Sequence, residues 1–167
     1  MSIIYKSRRI GKNEKEFWMY KFKTLKDGTD QQSEYESKDE RYTFGGKFLR
    51  KFKLDELPQL WNLIKGDMWV VGPRPEEKKE IDILPEHIRK VILSVKPGLT
   101  SLSSIYFFNE EDILKLSEEP QKDFWTKIKP MKIMLDVFYV NNKCLSLDLW
   151  IVWQTFKQLI KRIFGKV

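Results

Sequence analysis

From residue 17 to residue 25 ring and charged side chains alternate with period two, Trp18, Tyr20 and Phe22 on one side, Lys21 and Lys23 on the other. That period predicts an extended strand, because successive side chains of a strand point to opposite faces. A short strand is expected at Ile3-Ile4-Tyr5, and another over 68–71, where an apolar run leads into Gly72-Pro73-Arg74-Pro75. Two prolines stiffen that turn. Elsewhere the spacing is helical. Residues 44–52 read as a short helix after Gly45-Gly46. Residues 55–65 read as a second helix, with Asp55 as N-cap, Pro58 in the first turn and Gly66 as the stop. Helix is expected over 76–95 with a break near Pro85, and over 110–118 and 122–140, separated by Pro120 and interrupted at Pro130. Residues 26–40 read as a polar loop, Lys96-Pro97-Gly98 as a turn, and 101–109 as strand or loop. Strands and helices mix irregularly, so the expected fold class is α/β (α+β mixed), without a repeating βαβ unit.

The last helix, 147–164, is amphipathic. Leu149, Trp153, Phe156, Ile160 and Ile163 recur at spacings of four and three, with Lys157, Lys161 and Lys166 on the other side. Such a stripe either packs into a core or lies on an anionic membrane surface. Basic residues opposite Trp and Phe favour the membrane.

Composition narrows the partners. The 167 residues suit one compact domain, 1–167, with a modest core. A hydrophobic share of 41% and a charged share of 33% indicate a globular chain. The net charge of +7 suits anionic partners: nucleotides, phospholipid headgroups or nucleic acid. The single Cys144 excludes an internal disulfide framework and reads as a packing residue, while His87 reads as an ordinary surface residue. No run of about 18 apolar residues occurs, so no transmembrane helix is expected, and residues 2–12 lack the apolar core of a signal peptide.

Candidate chemistry concentrates between Arg41 and Pro75. Asp55-Glu56 at a helix start has two readings. Acids cap helices and complement the dipole. A helix N-terminus also offers N–H groups to a phosphate, where a carboxylate could act as nucleophile toward phosphorus. Two anions at 4 Å repel by about 4 kcal/mol at an effective dielectric of 20, so cations must offset the approach. Lys21 and Arg50 are candidates, as is a divalent metal held by hard oxygens.

The motifs around this dyad decide between the readings. Gly46-Lys47-Phe48-Leu49-Arg50, Leu54-Asp55-Glu56-Leu57-Pro58-Gln59-Leu60-Trp61-Asn62, Lys65-Gly66-Asp67-Met68 and Val71-Gly72-Pro73-Arg74-Pro75 resemble the signature of the bacterial sugar transferase family. These are monotopic polyprenyl-phosphate phosphoglycosyltransferases. Arg41-Tyr42-Thr43, Tyr20-Lys21-Phe22-Lys23-Thr24, Lys96-Pro97-Gly98-Leu99-Thr100, Leu135-Asp136, Tyr139-Val140 and Ser146-Leu147-Asp148-Leu149 extend the likeness over nearly the whole chain. The resemblance implies transfer of a sugar phosphate from a UDP-sugar to a polyprenyl (undecaprenyl) phosphate, at the cytoplasmic face of the bacterial inner membrane. It implies Asp55 as nucleophile and Glu56 as base or as orienter of acceptor or metal. Lys21 and Arg50 would bind phosphate, and Arg74, between Pro73 and Pro75, would help to hold the nucleotide. Mg²⁺ is the implied cofactor, on Asp55 and Glu56, and the anionic membrane surface an implied partner. A nucleic-acid partner is not expected: no such motif is present, and Asp55-Glu56 would repel a phosphate backbone.

Three features depart from the family's pattern. Its apolar re-entrant membrane segment would precede Ile3 and is not expected in this chain, which leaves room for a truncated relative with little turnover. Lys53 stands where Ser is common, two residues before the nucleophile. Thr100-Ser101 followed by Ile105-Tyr106-Phe107-Phe108 replaces a Thr-Gly and Asn-Gly-Arg-like segment, a region suited to selecting sugar or acceptor.

Overall fold

A computed structural model describes residues 3–26 and 42–165; most of the expected 26–40 loop, Arg41 and Lys166 fall outside them. The chain opens with a hairpin. Strand β1 (Ile4–Ile10) pairs antiparallel with β2 (Glu16–Phe22), in the register Tyr5↔Lys21, Ser7↔Met19 and Arg9↔Phe17. The face turned inward is Phe17, Met19 and Lys21; Trp18 is 44% exposed. β1 is longer than the expected Ile3-Ile4-Tyr5, because Ser7 and Arg9 occupy inward positions and interrupt the apolar period. β2 stops at Phe22, and Leu25 makes only an isolated bridge to Tyr42.

The second sheet is a parallel pair, β3 (Trp69–Val71) and β4 (Gly98–Thr100), joined by α3 (Lys78–Asp82) and α4 (Glu86–Ile92). Parallel strands need such a crossover. Gly72 and Gly98 let the two chains touch: a Cβ on Gly98 would run into the Gly72 backbone, and one on Gly72 into the Lys96 carbonyl.

Residues 101–109 form no strand, and only Ser101 and 107–109 are the loop expected. Leu102–Tyr106 is helix α5, capped by Ser101 Oγ, which accepts from the Ser104 N–H at 2.9 Å. The α-helical ladder expected over 122–140 is interrupted just before Pro130. Pro130 lies in the first turn of α8 (Lys129–Asn141), and a π-helical turn, Phe124–Ile128, joins α8 to α7 (Pro120–Asp123) just before it. Helix α6 is Glu110–Lys115 and α9 is Leu145–Phe164.

The main core joins these pieces. Val71, Leu102, Ile105, Tyr139 and Ile151 pack together. The Tyr139 hydroxyl donates to Asp148 Oδ1 at 2.7 Å and sits 3.1 Å from the Val71 carbonyl, tying α8, α9 and β3 at one point. Only Ile151 of α9 is fully buried. Leu149, Trp153, Phe156, Ile160 and Ile163 are 40–61% exposed, so the stripe is not packed against the other described residues. Among the described residues no helix is long and apolar enough to cross a membrane. His87 is exposed as expected. Cys144 is exposed too, correcting the packing assignment: it is the extended N-cap residue of α9, outside the helix packing.

Candidate active site

Helix α1 (Gly46–Lys51) ends beside Phe52, and the chain reverses at Lys53, held at φ 57° in the left-handed region. Such a backbone is costly for a non-glycine residue, of order 1–3 kcal/mol, and is typical of functional turns. A 3₁₀ helix, Leu54–Gln59, follows, then α2 (Leu60–Lys65), closed by Gly66 at φ 77°. The single helix expected over 55–65 is therefore split. Pro58 lacks the N–H that an α-helical turn would use. Asp55 is not the N-cap either: that position is Lys53, and Asp55 lies inside the first turn with its side chain available for other work.

Asn62 holds this segment against β2. It is fully buried; its Nδ2 donates to the Trp18 carbonyl at 2.7 Å and its Oδ1 accepts the Tyr20 N–H at 3.3 Å. Side-chain alternation then turns Lys21 inward beside the dyad. Lys21 Nζ lies 3.3 Å from Glu56 Oε1, and Arg74 donates to the same oxygen at 2.7 Å from the rigid turn after β3.

The two carboxyls of the dyad are driven apart. Burial pushes Glu56 up, but Arg74 and Lys21 outweigh it and hold its carboxyl well below the usual range. Glu56 in turn raises Arg74, while burial lowers Lys21 against the pull of Glu56. Asp55 moves the other way, raised by burial and by Glu56, with Lys21, Lys53 and Arg50 opposing. It is 8% exposed, and its Oδ1 has no hydrogen-bond partner among the described residues. Neighbouring acids with opposed shifts mark a division of labour. Glu56 is a fixed anion that organises cations; Asp55 is an uncommitted one.

Both acids face a cleft of about 1140 Å³ that Lys21, Arg50, Arg74 and Pro75 also line. Pro73 does not line it. Its carbonyl accepts the Gly98 N–H at 2.9 Å in the wall behind, so it shapes the turn without facing the cleft. The remaining candidates, Lys21, Arg50, Asp55, Glu56, Arg74 and Pro75, line this one cleft.

Several supporting contacts gave no signal in the sequence, although Lys53, Phe108 and Asp136 stand in segments it singled out. Lys129, 5% exposed, bonds Glu76 and Glu80, each at 2.7 Å, and ties α8 to the turn carrying Arg74. Ser103 Oγ donates to buried Asp136 at 2.8 Å; burial raises that carboxyl to about 7 against the Ser103 bond. Phe108 lies 5.8 Å from Lys53 Nζ and 5.3 Å from Arg162 Cζ, a cation–π pair that links α9 to the residue before Leu54-Asp55.

The sequence profile described as bacterial sugar transferase matches residues 1–162. Among similar proteins is UDP-N-acetylgalactosamine-undecaprenyl-phosphate N-acetylgalactosaminephosphotransferase of Aeromonas hydrophila, 30% identical over 95% of this chain and 35% of its own length. UDP-glucose:undecaprenyl-phosphate glucose-1-phosphate transferase of Klebsiella pneumoniae is 33% identical over 96% of this chain and 33% of its own. Exopolysaccharide production protein ExoY of Sinorhizobium fredii is 33% identical over 92% of this chain and 68% of its own. The chain thus spans about a third of the first two relatives and about two thirds of the last. With the profile matched almost end to end, the chain belongs to the bacterial sugar transferase family.

Proposed function

We propose that the chain transfers a sugar phosphate from a UDP-sugar to polyprenyl (undecaprenyl) phosphate and releases UMP, as a membrane step that opens exopolysaccharide, O-antigen or glycoprotein glycan synthesis. The observation that carries this reading is the buried, unpartnered Oδ1 of Asp55 in a cleft whose cations are arrayed around Glu56. In the first half, Asp55 Oδ1 attacks the β-phosphorus; the bond to the bridging oxygen breaks and UMP leaves with its electrons. In the second, a phosphate oxygen of the lipid acceptor attacks the same phosphorus and expels the Asp55 carboxylate. Lys21, Arg50 and Arg74 offset the charge that accumulates as anions meet. A carboxylate held as low as Glu56 is a weak base, which favours its role as an orienter.

Mg²⁺ fits this donor set. Asp55 and Glu56 are hard carboxylates that line the cleft, and Mg²⁺ is commonly held by one or two carboxylates with substrate phosphates and water completing the shell. Asp55, with Glu56 beside it, would hold the ion, which when bound supplies further charge neutralisation at the diphosphate. The exposed stripe of α9 supports docking on the cytoplasmic face of the membrane, where the acceptor phosphate lies. The intact dyad favours a working enzyme over a degenerate relative.

The test is UMP release across a panel of UDP-sugars with Mg²⁺ and undecaprenyl phosphate, with mass spectrometry of the protein after donor alone. The expected result is a sugar-phosphate adduct on Asp55. Release without an adduct, and undiminished in Asp55→Asn, would remove Asp55 as nucleophile.

A further inference from the structure

The wall that α9 lends to the cleft has a chemistry of its own. Val152, Thr155, Phe156, Leu159 and Arg162 line the cleft, at helical spacings of three, one, three and three, so they form one row along one side of α9. Leu57, Leu60 and Val70 line the same cleft and are 44–49% exposed, as Val152 and Phe156 are at 39% and 54%. An open, apolar mouth of this kind is unfavourable in water and marks a surface that takes an apolar ligand. The row on α9 is also continuous with the outer stripe, because Phe156 belongs to both: it lines the cleft, and it stands in series with Trp153, Ile160 and Ile163. Cations complete the row. Arg162 sits at its far end and Lys53 two residues before Asp55, both within 6 Å of the Phe108 ring centre.

We infer that this row is the groove for the lipid acceptor: its apolar chain runs along Val152, Phe156 and Leu159, against Leu57, Leu60 and Val70, and Arg162 and Lys53 guide its phosphate to Asp55. The inference rests on the function proposed above and assigns the place of one of its substrates. A single-chain isoprenoid phosphate is the occupant, because apolar walls and two phosphate-seeking cations meet in one groove, and because that groove joins a stripe suited to the membrane surface. The eleven residues from Val152 to Arg162 span about 15 Å of helix at 1.5 Å per residue. Acceptors shorter than this wall lose contact with it; longer ones gain little more from it.

The experiment separates the half-reactions in detergent. Wild-type protein and the variants Val152→Asn and Arg162→Gln are each given a UDP-sugar alone, to measure the burst of UMP, and then geranyl or undecaprenyl phosphate at varied concentration. Vesicle sedimentation is run in parallel. The expected result is an unchanged burst and unchanged vesicle binding for Val152→Asn, at the end of the row away from Arg162, with an acceptor KM raised at least tenfold for undecaprenyl phosphate and little for geranyl phosphate. Arg162→Gln should raise both acceptor KM values alike. An unchanged acceptor KM in both variants would overturn the groove, as would a loss of vesicle binding that fully accounts for the change. A burst absent from the wild type with every UDP-sugar would bring down the proposed function and the groove with it.

Discussion

Arg74 and Glu56 meet at 2.7 Å across eighteen residues of chain, and the pair fixes where the positive charge of the cleft lies. Replacing Glu56 by Gln leaves Arg74 and Lys21 facing each other without an anion. The expected cost at neutral pH is about 1–3 kcal/mol, that of an unpaired, part-buried charged hydrogen bond. The carboxyl is depressed in the folded state, so its stabilisation is present above the ordinary carboxylate value of about 4.3 and fades as pH falls toward the folded value. Melting temperatures between pH 7 and pH 3 should therefore converge for wild type and Glu56→Gln as the pH drops. A constant gap would show that the charge is not the source.

Asp55 carries the opposite sign. Its carboxyl is raised on folding, so the unfolded chain ionises first and stability is lost as pH rises through that interval. Above it the penalty is complete. Asp55→Asn is therefore expected to melt at the same temperature as wild type at pH 7, or higher, while turnover falls by a factor on the order of 10⁴. Calorimetry beside the UMP assay checks both. Functional residues often cost stability in this manner.

Lys21 and Arg50 should be worth roughly 1.5–3 kcal/mol each in transition-state binding if each makes a charge-assisted hydrogen bond to phosphate. Lys21→Met and Arg50→Ala would then lower kcat/KM by roughly ten- to a hundredfold. Varying donor and acceptor separately assigns each cation to a half-reaction. Unchanged kinetics in both variants would take them out of the site.

Asn62 tests the frame rather than the chemistry. Asn62→Ala strands the Trp18 carbonyl and the Tyr20 N–H, which it now satisfies. The expected loss is about 2–4 kcal/mol in urea unfolding, from two buried groups left unpaired. Because β2 carries Lys21, activity should fall with it, and measured at equal folded fraction the residual loss reports the displacement of Lys21.

How far these features were legible in the sequence depends on whether a local pattern was enough to carry them. Asp55, Glu56, Arg50, Lys21 and Arg74 stand in motifs, and they converge on one cleft. Which face of β2 turns inward was not legible, because the inner row, Phe17, Met19 and Lys21, ends in a cation that the protein keeps for Glu56. Pro73 and Arg74 are neighbours in sequence, yet a turn places one behind the wall and the other in front of it. Helix α5 was hidden because Ser103, Ser104, Ile105 and Tyr106 have weak helical preference, and its stability comes from Ser101 and from packing on Tyr139 and Ile151. The Lys129 network depends on contacts about fifty residues apart, which no local pattern reports.

Membrane attachment gives the last prediction. Trp153, Ile160 and Ile163 are 40–58% exposed on α9, and Lys157, Lys161 and Arg162 lie on the same last three turns. A helix of this kind lies in the interface with its apolar face among the acyl chains. Each basic residue near an anionic leaflet adds about 1 kcal/mol, screened within roughly 8 Å at physiological salt. Burial of the three apolar side chains adds an attraction that salt does not screen. Sedimentation with anionic vesicles should therefore show strong binding at low salt and weaker, incomplete retention at high salt. Trp153→Ser with Ile160→Ser should abolish the salt-resistant part, and Lys157→Gln with Lys161→Gln the salt-sensitive part. Neutral vesicles should retain the wild type as poorly as anionic ones retain the lysine variant. If the apolar pair changes nothing at either salt, the stripe faces another protein surface, and the positive charge alone accounts for attachment.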